Sequence, residues 1–260
     1  SIIFLGTGGD AQVVGQQQRG SGGIMISVGE NQLHIDPGPG SLIMAKACNQ
    51  NIRLNTAVMV THNHLNHCND VNQVIHAMTH GGLDKKGVLV SNRTLVEGSD
   101  DLQPFLTHFH RSCVEKSFIM TPGKRIGIND LEIEAISAFH SDPHAVGYRI
   151  FAPSFSVCYT GDTEYHENLG RYCHADVLIL NVRFPRDMKE KGHLCTEDAA
   201  KLVKEAKPKL AIITHFGTKM LAADPSYEAR IIQQKSNIRT IAATDGLIIN
   251  PVTFSTGTNL

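Results

Sequence analysis

Short apolar runs separated by turn residues predict strands in the first half of the chain. Residues 24–28 and 32–35 are two such runs around the turn Gly29-Glu30-Asn31, a pattern typical of a β-hairpin. Residues 56–61 are apolar and β-branched, as in a buried strand, and they lead into a polar turn. Helical spacing of apolar positions follows at residues 69–78.

The rest of the chain alternates between strand-like and helix-like segments. Residues 92–115 are the least regular, and there we predict a loop with a partly helical stretch around residues 102–109. Strand-rich blocks closed by helices favour two packed sheets with helices outside, and no linker divides the single domain expected over residues 1–260. Thr196 is expected to cap its helix. Further strands are predicted at 2–5, 88–90, 116–120, 131–138, 147–151, 155–160, 177–180, 210–214, 240–242 and 247–249, and further helices at 42–48, 196–205 and 226–235.

Composition is that of an ordinary globular protein, with 41% hydrophobic and 19% charged residues. The formal net charge of −1 provides no basic field for nucleic acid, so a large nucleic acid is not an expected partner. Six scattered cysteines without a C-x-x-C pair favour reduced thiols in a cytoplasmic protein. No membrane span or signal peptide is expected, and Ser1 leads straight into an apolar strand, so we expect little sequence to be missing before it.

Three histidines within six residues are the strongest chemical signal. The sequence Thr61-His62-Asn63-His64-Leu65-Asn66-His67 follows a predicted buried strand. Imidazole ligates Zn²⁺ and other first-row divalent ions, and the alternate residues His62 and His64 can converge on one ion. Asn66 and His67, at the start of the next helix, can face a second ion. The alternative is a solvent-exposed histidine-rich turn that binds no metal.

This turn resembles the T-H-x-H-x-D-H signature of the metallo-β-lactamase superfamily. His140 follows an apolar strand, Asp162 lies in Tyr159-Thr160-Gly161-Asp162-Thr163, and His215 lies in Ile212-Ile213-Thr214-His215-Phe216-Gly217, which resemble later motifs of the family in the same order. Asp36-Pro37-Gly38 resembles its early aspartate–glycine turn, and Asp36 is a candidate to support a ligand histidine. The resemblance covers nearly the whole chain and implies an α/β fold, the four-layer αβ/βα sandwich of that family.

The resemblance also implies a metal centre with two adjacent divalent ions, most often Zn²⁺, with manganese and iron as alternatives. Water or hydroxide between the ions would be the nucleophile, because such ions bring the pKa of bound water close to neutral. Asp162 is therefore expected to be catalytic as well as a ligand. By this resemblance the first ion would be held by His62, His64 and His140, and the second by His67 and His215, with Asp162 bridging both.

Asn66 departs from the family, which normally has aspartate at this position. That aspartate usually ligates the second ion and orients the water, whereas an amide oxygen brings no charge and cannot accept the proton of the water. We therefore treat Asn66 as a catalytic and metal-site residue and expect the second ion to be the weaker one. Three explanations remain open: a subfamily that hydrolyses with asparagine, a chain with weak or single-ion metal binding, or an engineered variant.

Two features favour phosphodiesters among the β-lactams, thioesters, lactones and phosphodiesters that the superfamily cleaves. Gly192-His193-Leu194-Cys195-Thr196 resembles the motif of ribonuclease Z whose histidine contacts the scissile phosphate, so His193 is a catalytic candidate. The opening Phe4-Leu5-Gly6-Thr7-Gly8 resembles the same branch. The interval from His140 to Asp162 is too short for the tRNA-gripping arm of ribonuclease Z. A small, cyclic or nucleotide-type phosphodiester is therefore expected, as for the phosphodiesterase of the phosphonate pathway.

Other interpretations stay open. The protein could instead be a lactone or thioester hydrolase, or a metal- or ligand-binding homologue weakened by Asn66, and an iron-dependent oxidoreductase is a more distant alternative. Arg183 could meet a phosphate oxygen, although a solvated position is expected for it. His108, His110 and His144 are expected at the surface. The substrate is expected to be a small molecule, and the resemblance allows a homodimer.

Overall fold

Sixteen strands carry the fold, and most of them coincide with apolar runs of the sequence. The computed structural model describes all residues, Ser1–Leu260. In chain order the strands are β1 (Ile2–Phe4), β2 (Ile24–Val28), β3 (Asn31–Ile35), β4 (Ala57–Val60), β5 (Val88–Ser91), β6 (Lys116–Ile119), β7 (Arg125–Ile128), β8 (Leu131–Ser137), β9 (Val146–Ala152), β10 (Phe155–Tyr159), β11 (Val177–Phe184), β12 (Leu194–Cys195), β13 (Leu210–Thr214), β14 (Thr240–Ala242), β15 (Leu247–Ile249) and β16 (Thr256–Thr258).

The strands form two mixed sheets. The first has the order β16-β15-β1-β2-β3-β4-β5-β6, and the second has the order β14-β13-β11-β10-β9-β8-β7, with β12 paired to β11. Strands β3 to β6 run parallel to one another in the first sheet, and β10, β11, β13 and β14 run parallel in the second. In each sheet, several parallel strands therefore present their carboxyl ends at a common edge.

Helices connect the parallel strands and cover the outer faces of both sheets. A short 3-10 helix at Ile52–Leu54 precedes β4. The helices are α1 (Ala11–Gly15), α2 (Ser41–Ala47), α3 (Leu65–Cys68), α4 (Val71–Met78), α5 (Arg93–Glu97), α6 (His108–Cys113), α7 (Leu169–Tyr172), α8 (Thr196–Ala206), α9 (Thr218–Ala222) and α10 (Pro225–Ser236).

Strand β4 shows how the layers are built. Ala57 and Met59 point into the core between the two sheets, whereas Val58 and Val60 pack against the helices on the outer face. The uninterrupted apolar run in the sequence follows from this burial on both faces. A third apolar cluster joins the outer face of the second sheet to α8 and α10, for example through Leu202. These clusters confirm the predicted α/β fold with four layers, helix–sheet–sheet–helix.

Residues 92–115 differ from the expectation. They form two short helices, α5 and α6, and the predicted helical stretch around residues 102–109 lies mostly in the loop between them. Thr107 starts α6, because its hydroxyl accepts the N–H of His110, and Pro104 lies in the preceding loop.

Thr196 does not cap α8, contrary to the expectation from the sequence. Its hydroxyl donates to Glu228 Oε2 instead, at 2.6 Å.

Further differences concern the strands, and the short strands β12 and β16 were not predicted. β7 was missed because its sequence alternates exposed and half-buried positions and includes Gly127. β11 continues beyond the predicted end and includes Arg183, so this arginine belongs to a strand rather than to the loop after it. No helix of the structure combines the length and the apolar character needed to cross a membrane.

Candidate metal centre

The histidine turn lies at the carboxyl end of β4 and continues into α3. Asp36 fixes its start, because Thr61 donates to both carboxylate oxygens, from its backbone N–H at 2.7 Å and from its hydroxyl at 2.8 Å. His62 is fully buried and His67, on α3, is 2% exposed, while His64 is half-buried. The turn is therefore an interior feature and not the solvent-exposed histidine turn that was the alternative.

Asp162 is the point at which the other predicted ligands meet this turn. It follows β10, while His140 follows β8 and His215 follows β13. Its Oδ2 atom lies 3.4 Å from His67 Nε2 and 3.8 Å from the Nε2 atoms of His62 and His140. Its Oδ1 atom lies 3.1 Å from His215 Nε2. Strand ends from both sheets thus place residues that are far apart in sequence around one carboxylate.

His64 and His140 are neighbouring imidazoles at one edge of the cluster. The carbonyl of Gly192 lies 2.9 Å from His140 Nδ1, so this nitrogen carries the ring proton and His140 Nε2 is left with a lone pair. That lone pair lies 3.1 Å from His64 Nδ1. Two imidazoles that each lie about 2.0–2.1 Å from one zinc ion place their ligand atoms at about this separation. The pair is therefore spaced as two ligands of one ion would be.

Unpartnered nitrogens test whether the residues fit a metal ion. The Nε2 atoms of His62, His67 and His215 are buried and have no hydrogen-bond partner in the protein, although each lies within 3.8 Å of Asp162. A buried polar atom without a partner is unfavourable, and three that face the same carboxylate need a common explanation. A divalent cation held by nitrogen and carboxylate ligands provides one. The residues present therefore fit a metal centre, although each assignment as a ligand remains a prediction.

The charge balance of the protein chain supports the same conclusion. Burial opposes a charge on His67, but Asp162 and Asp36 outweigh it and raise the pKa of His67 to about 10. Burial also opposes the charge of Asp162, yet His215 and His67 hold the pKa of this carboxyl well below its usual value. In the metal-free protein a buried imidazolium therefore balances the carboxylates. A bound cation would take the place of that proton.

Two other imidazoles of the cluster, those of His62 and His64, are neutral. Burial lowers the pKa of His62 well below its usual value, and burial together with the neighbouring His140 lowers that of His64 to about 4. Neutral imidazole is the form that ligates metals, because the nitrogen lone pair must be free. These two residues therefore need to release no proton when an ion binds at neutral pH.

Asp36 and Asn181 contact predicted ligands of the centre, Asp36 through His67 and Asn181 through Asp162. Asp36 Oδ2 lies 2.9 Å from His67 Nδ1 and accepts a hydrogen bond from the Tyr159 hydroxyl at 3.0 Å. Asn181, in β11, donates to Asp162 Oδ1 at 2.7 Å and is 2% exposed. Asp36 thus has the supporting position considered from the sequence. Asn181 was missed, although a lone polar residue inside an otherwise apolar run was the available signal.

Asp142 is a second residue that sequence reasoning missed. It is 1% exposed and accepts the backbone N–H of Asn63 at 2.8 Å, the side-chain amide of Asn92 at 2.8 Å and the hydroxyl of Thr94 at 2.6 Å. The first of these bonds ties the loop after His140 to the histidine turn. Sequence spacing offered little signal for it, because its partners lie on other elements.

His193 and Arg183 lie beside the carboxylate. His193 Nδ1 is 3.8 Å from Asp162 Oδ2, and Arg183 Nη1 is 2.9 Å from His193 Nε2. His140, Asp162 and His193 form a third group whose potential ligand atoms lie within 4.8 Å of one another, which the sequence did not indicate. Burial lowers the pKa of His193 to about 3. Arg183 is half-buried, so the expectation of a solvated arginine was wrong.

Asn66 is half-buried on α3 and is one of the residues that border the cleft that opens onto the centre. Its backbone carbonyl accepts the Ser21 hydroxyl at 2.8 Å. Asp10, Arg183 and His193 line the same cleft, whose volume is about 480 Å³. This volume lies within the range of about 300–1,000 Å³ that is typical of small-molecule sites.

The remaining histidines lie outside the centre. His144 is exposed on the turn before β9, and His108 is exposed on α6, as expected. His110 lies on the same helix, and its Nε2 atom is 3.3 Å from Nδ1 of His76 on α4. The six cysteines are buried and form no disulfide, in agreement with the reduced thiols expected from the sequence.

Comparison with known proteins identifies this arrangement with a family. Residues 31–216 match the family described as the β-lactamase superfamily domain. An uncharacterized protein of Methanocaldococcus jannaschii is 32% identical over 249 residues, which cover 95% of this chain and 93% of the relative. A ribonuclease Z of Aeropyrum pernix is 30% identical over 101 residues, or 36% of this chain and 31% of that protein.

Solved structures show the same fold at low identity. The metallo-β-lactamase fold protein YhfI of Bacillus subtilis superposes with a TM-score of 0.78 at 18% identity and covers 94% of this chain and 95% of its own. Zinc-bound PqqB of Methylobacterium extorquens has a TM-score of 0.72 at 16% identity, with 96% and 99% covered. A diphosphatase of the PhnP family has a TM-score of 0.65 at 18% identity, with 95% of each chain covered.

Proposed function

The chain belongs to the metallo-β-lactamase superfamily, whose members are metal-dependent hydrolases, and we propose that this member hydrolyses a small phosphodiester. Zinc is the proposed metal, by the nitrogen-rich donor set and by the likeness to zinc-bound PqqB. A divalent ion supplies Lewis acidity, which activates water and offsets phosphate charge. The proposed ligands are His62, His64 and His140 for one ion, His67 and His215 for a second, and Asp162 between them.

The hydrogen bond between Arg183 and His193 carries the proposal. A guanidinium group can only donate, so Arg183 leaves His193 Nε2 as the acceptor and assigns the ring proton to Nδ1. That N–H faces the centre, 3.8 Å from Asp162 Oδ2. A phosphodiester brings a negative charge that a neutral lactone or thioester lacks. A cation and an oriented donor at the cleft therefore favour the phosphodiester.

This assignment changes the role expected for His193. A neutral ring with its proton on Nδ1 stabilises a phosphate oxygen or the departing oxygen by hydrogen bonding. The likenesses to a ribonuclease Z and to a PhnP-family diphosphatase support a phosphate ester as substrate. Between His140 and Asp162 the chain forms only a turn and the strands β9 and β10, without a long arm. This supports a small substrate.

A weakened metal- or ligand-binding homologue is the second candidate, and Asn66 favours it. Asn66 borders the cleft and is uncharged, and Asp162 is the only carboxylate in the three groups of potential ligands. A single carboxylate leaves the second ion less tightly held than two would.

The His193→Ala variant tests the proposal on zinc-loaded protein. We expect kcat/KM for bis(p-nitrophenyl) phosphate to fall about 100- to 1,000-fold, the usual effect of losing an oriented donor, with zinc content unchanged. His174→Ala is the matched control, since His174 contacts the carbonyl of Ala206 and not the centre. Wild-type activity on a chromogenic thioester or lactone without activity on the diester would overturn the phosphodiester assignment. Failure to hydrolyse any of these substrates would favour the second candidate.

A further inference from the structure

We propose that Phe139 is a stacking surface for a planar ring on one ester arm of the substrate, an inference that rests on the proposed phosphodiesterase function. Phe139 directly precedes the predicted ligand His140, and 49% of it is exposed. A single exposed aromatic residue is ordinary in itself. The position, rigidity and surroundings of this one carry the inference.

The backbone of Phe139 is held on both sides. Its N–H donates to the Thr163 hydroxyl at 2.9 Å, and its carbonyl accepts the N–H of Glu164 at 2.9 Å. Both partners follow Asp162 closely in the chain. The position of Phe139 is therefore coupled to the same loop that carries the central carboxylate.

The ring of Phe139 is already stacked on one face. His166 lies parallel to it, with ring centroids 4.1 Å apart and an angle of 18° between the planes. The nitrogens of His166 lie 3.3 Å from the carbonyl of Ser137 and 3.1 Å from that of Glu167, and the single N–H of the neutral ring can donate to one of them, which helps to hold this backing ring. One face is covered and about half of the residue is exposed, so the opposite face is available to a ligand. A rigid aromatic surface loses little conformational entropy when a ligand binds.

Phe139 borders a second cleft that meets the first at the metal centre. This cleft has a volume of about 630 Å³, and His140 and Ser141 line both it and the cleft that contains Arg183 and His193. A phosphodiester has two ester arms. With the phosphorus at the centre, one arm can extend toward Arg183 and the other toward Phe139.

The chemistry of the second cleft favours an uncharged ring. Lys191, Glu164 and the buried Asp142 line it, so two carboxylates face one ammonium group and the cleft has no net attraction for a second anion. An exposed aromatic face binds planar π systems, and each base stacked on such a side chain is worth about 5- to 150-fold in affinity by alanine substitution. The ligand is therefore a nucleobase or an aryl group, since both share this chemistry.

Three diesters with the same p-nitrophenolate leaving group test the proposal on the zinc-loaded protein: ethyl, phenyl and thymidine-5′ p-nitrophenyl phosphate. We expect the KM of the wild type to be about 5- to 150-fold lower for a ring-bearing arm than for ethyl. Phe139→Ala should abolish this difference, and Phe139→Trp should retain it. The phenyl and thymidine arms distinguish the two sources of the ring. Phe109→Ala is the matched control, because Phe109 is 51% exposed on α6, outside both clefts.

A binding measurement separates this proposal from the proposed function. Calorimetric titration with thymidine 5′-monophosphate, with inorganic phosphate as the reference, reports ring binding without turnover. If no diester is hydrolysed but Phe139→Ala still weakens nucleotide binding, the hydrolytic assignment falls and the ring site stands. If the wild type hydrolyses all three diesters with equal KM, or if Phe139→Ala affects them equally, the ring site is wrong and the hydrolytic assignment stands.

Discussion

The two sides of the metal centre differ in where their charge lies. On one side, His62 and His64 are held neutral, and His140 is oriented by the uncharged carbonyl of Gly192. On the other side, His67 lies between two carboxylates, Asp162 at 3.4 Å and Asp36 at 2.9 Å. The first side thus contains two neutral imidazoles and an uncharged hydrogen-bond partner for the third, whereas the second side concentrates the negative charge.

From this difference we expect the two proposed ions to bind in different ways. On the first side His62 and His64 need to release no proton at neutral pH, while the second side must lose the proton that the carboxylates hold on His67. By the family resemblance Asn66 is predicted to belong to this second side, and it brings no charge. Asp162 lies close to predicted ligands of both sides, so we expect both proposed ions to depend on it.

The largest effect is expected from Asp162→Ala. This change removes the carboxylate common to both sides, so we expect both ions to be lost and hydrolysis to fall by more than about 100-fold, beyond the range seen for supporting residues. His140→Ala should weaken the first ion only. Metal content by mass spectrometry and kcat/KM with the phosphodiester check both, with thermal melting as the control for folding. Retention of both ions by the Asp162→Ala protein would contradict the shared role of this residue.

A smaller effect is expected from Asp36→Asn, which acts through His67. The asparagine amide has no negative charge to stabilise a proton on His67 Nδ1. The pKa of the ring is therefore lowered, and its orientation is less firmly held. We expect zinc affinity to fall about 10- to 100-fold on the second side while the first ion is retained. Asp70→Asn is the matched control, because Asp70 accepts the backbone N–H groups of Gly40 and Ser41 and no imidazole. An equal loss in the control would remove the specific role of Asp36.

The smallest effect concerns the pH dependence of the metal-free protein. His64 and His193 have folded-state pKa values near 4 and 3, below the usual 6.5, so the unfolded chain binds more protons below pH 6.5 and stability falls with acid. His67, raised to about 10, contributes stability below pH 6.5 that is lost as the pH rises toward 10. Each group changes the free energy of unfolding by about 1.4 kcal/mol per pH unit within its window.

The melting temperature of chelator-treated protein should therefore be highest near pH 6.5, and His67→Ala should reduce its decline at alkaline pH. A melting temperature that rises steadily from pH 6.5 to 8.5 would contradict this charge balance.

Most of the fold could be predicted, because buried strands such as β4 and amphipathic helices such as α4 have clear periodicity. β7 and α6 could not be placed, since half-exposed residues and short loops with Pro104 give no periodic signal. The motif order also allowed the residues that converge on the centre to be named.

The contacts that could not be predicted from the sequence depend on how the loops bring separate parts of the chain together. Arg183 and His193 are ten positions apart, and only the path of the chain between β11 and β12 brings them to 2.9 Å. Asn181 and Asp142 act through partners on other elements. The exposure of Phe139 and its stacking on His166 are likewise consequences of tertiary packing.

A zinc titration of the metal-free protein beside its Asn66→Asp variant tests the account most directly. The account predicts two steps for the wild type, a tight first ion and a weaker second one, with proton release in the second step. Asn66→Asp should tighten only the second step, because it adds a carboxylate to that side alone. A single step that the substitution leaves unchanged, or no zinc binding at all, would contradict a paired metal centre with unequal sides.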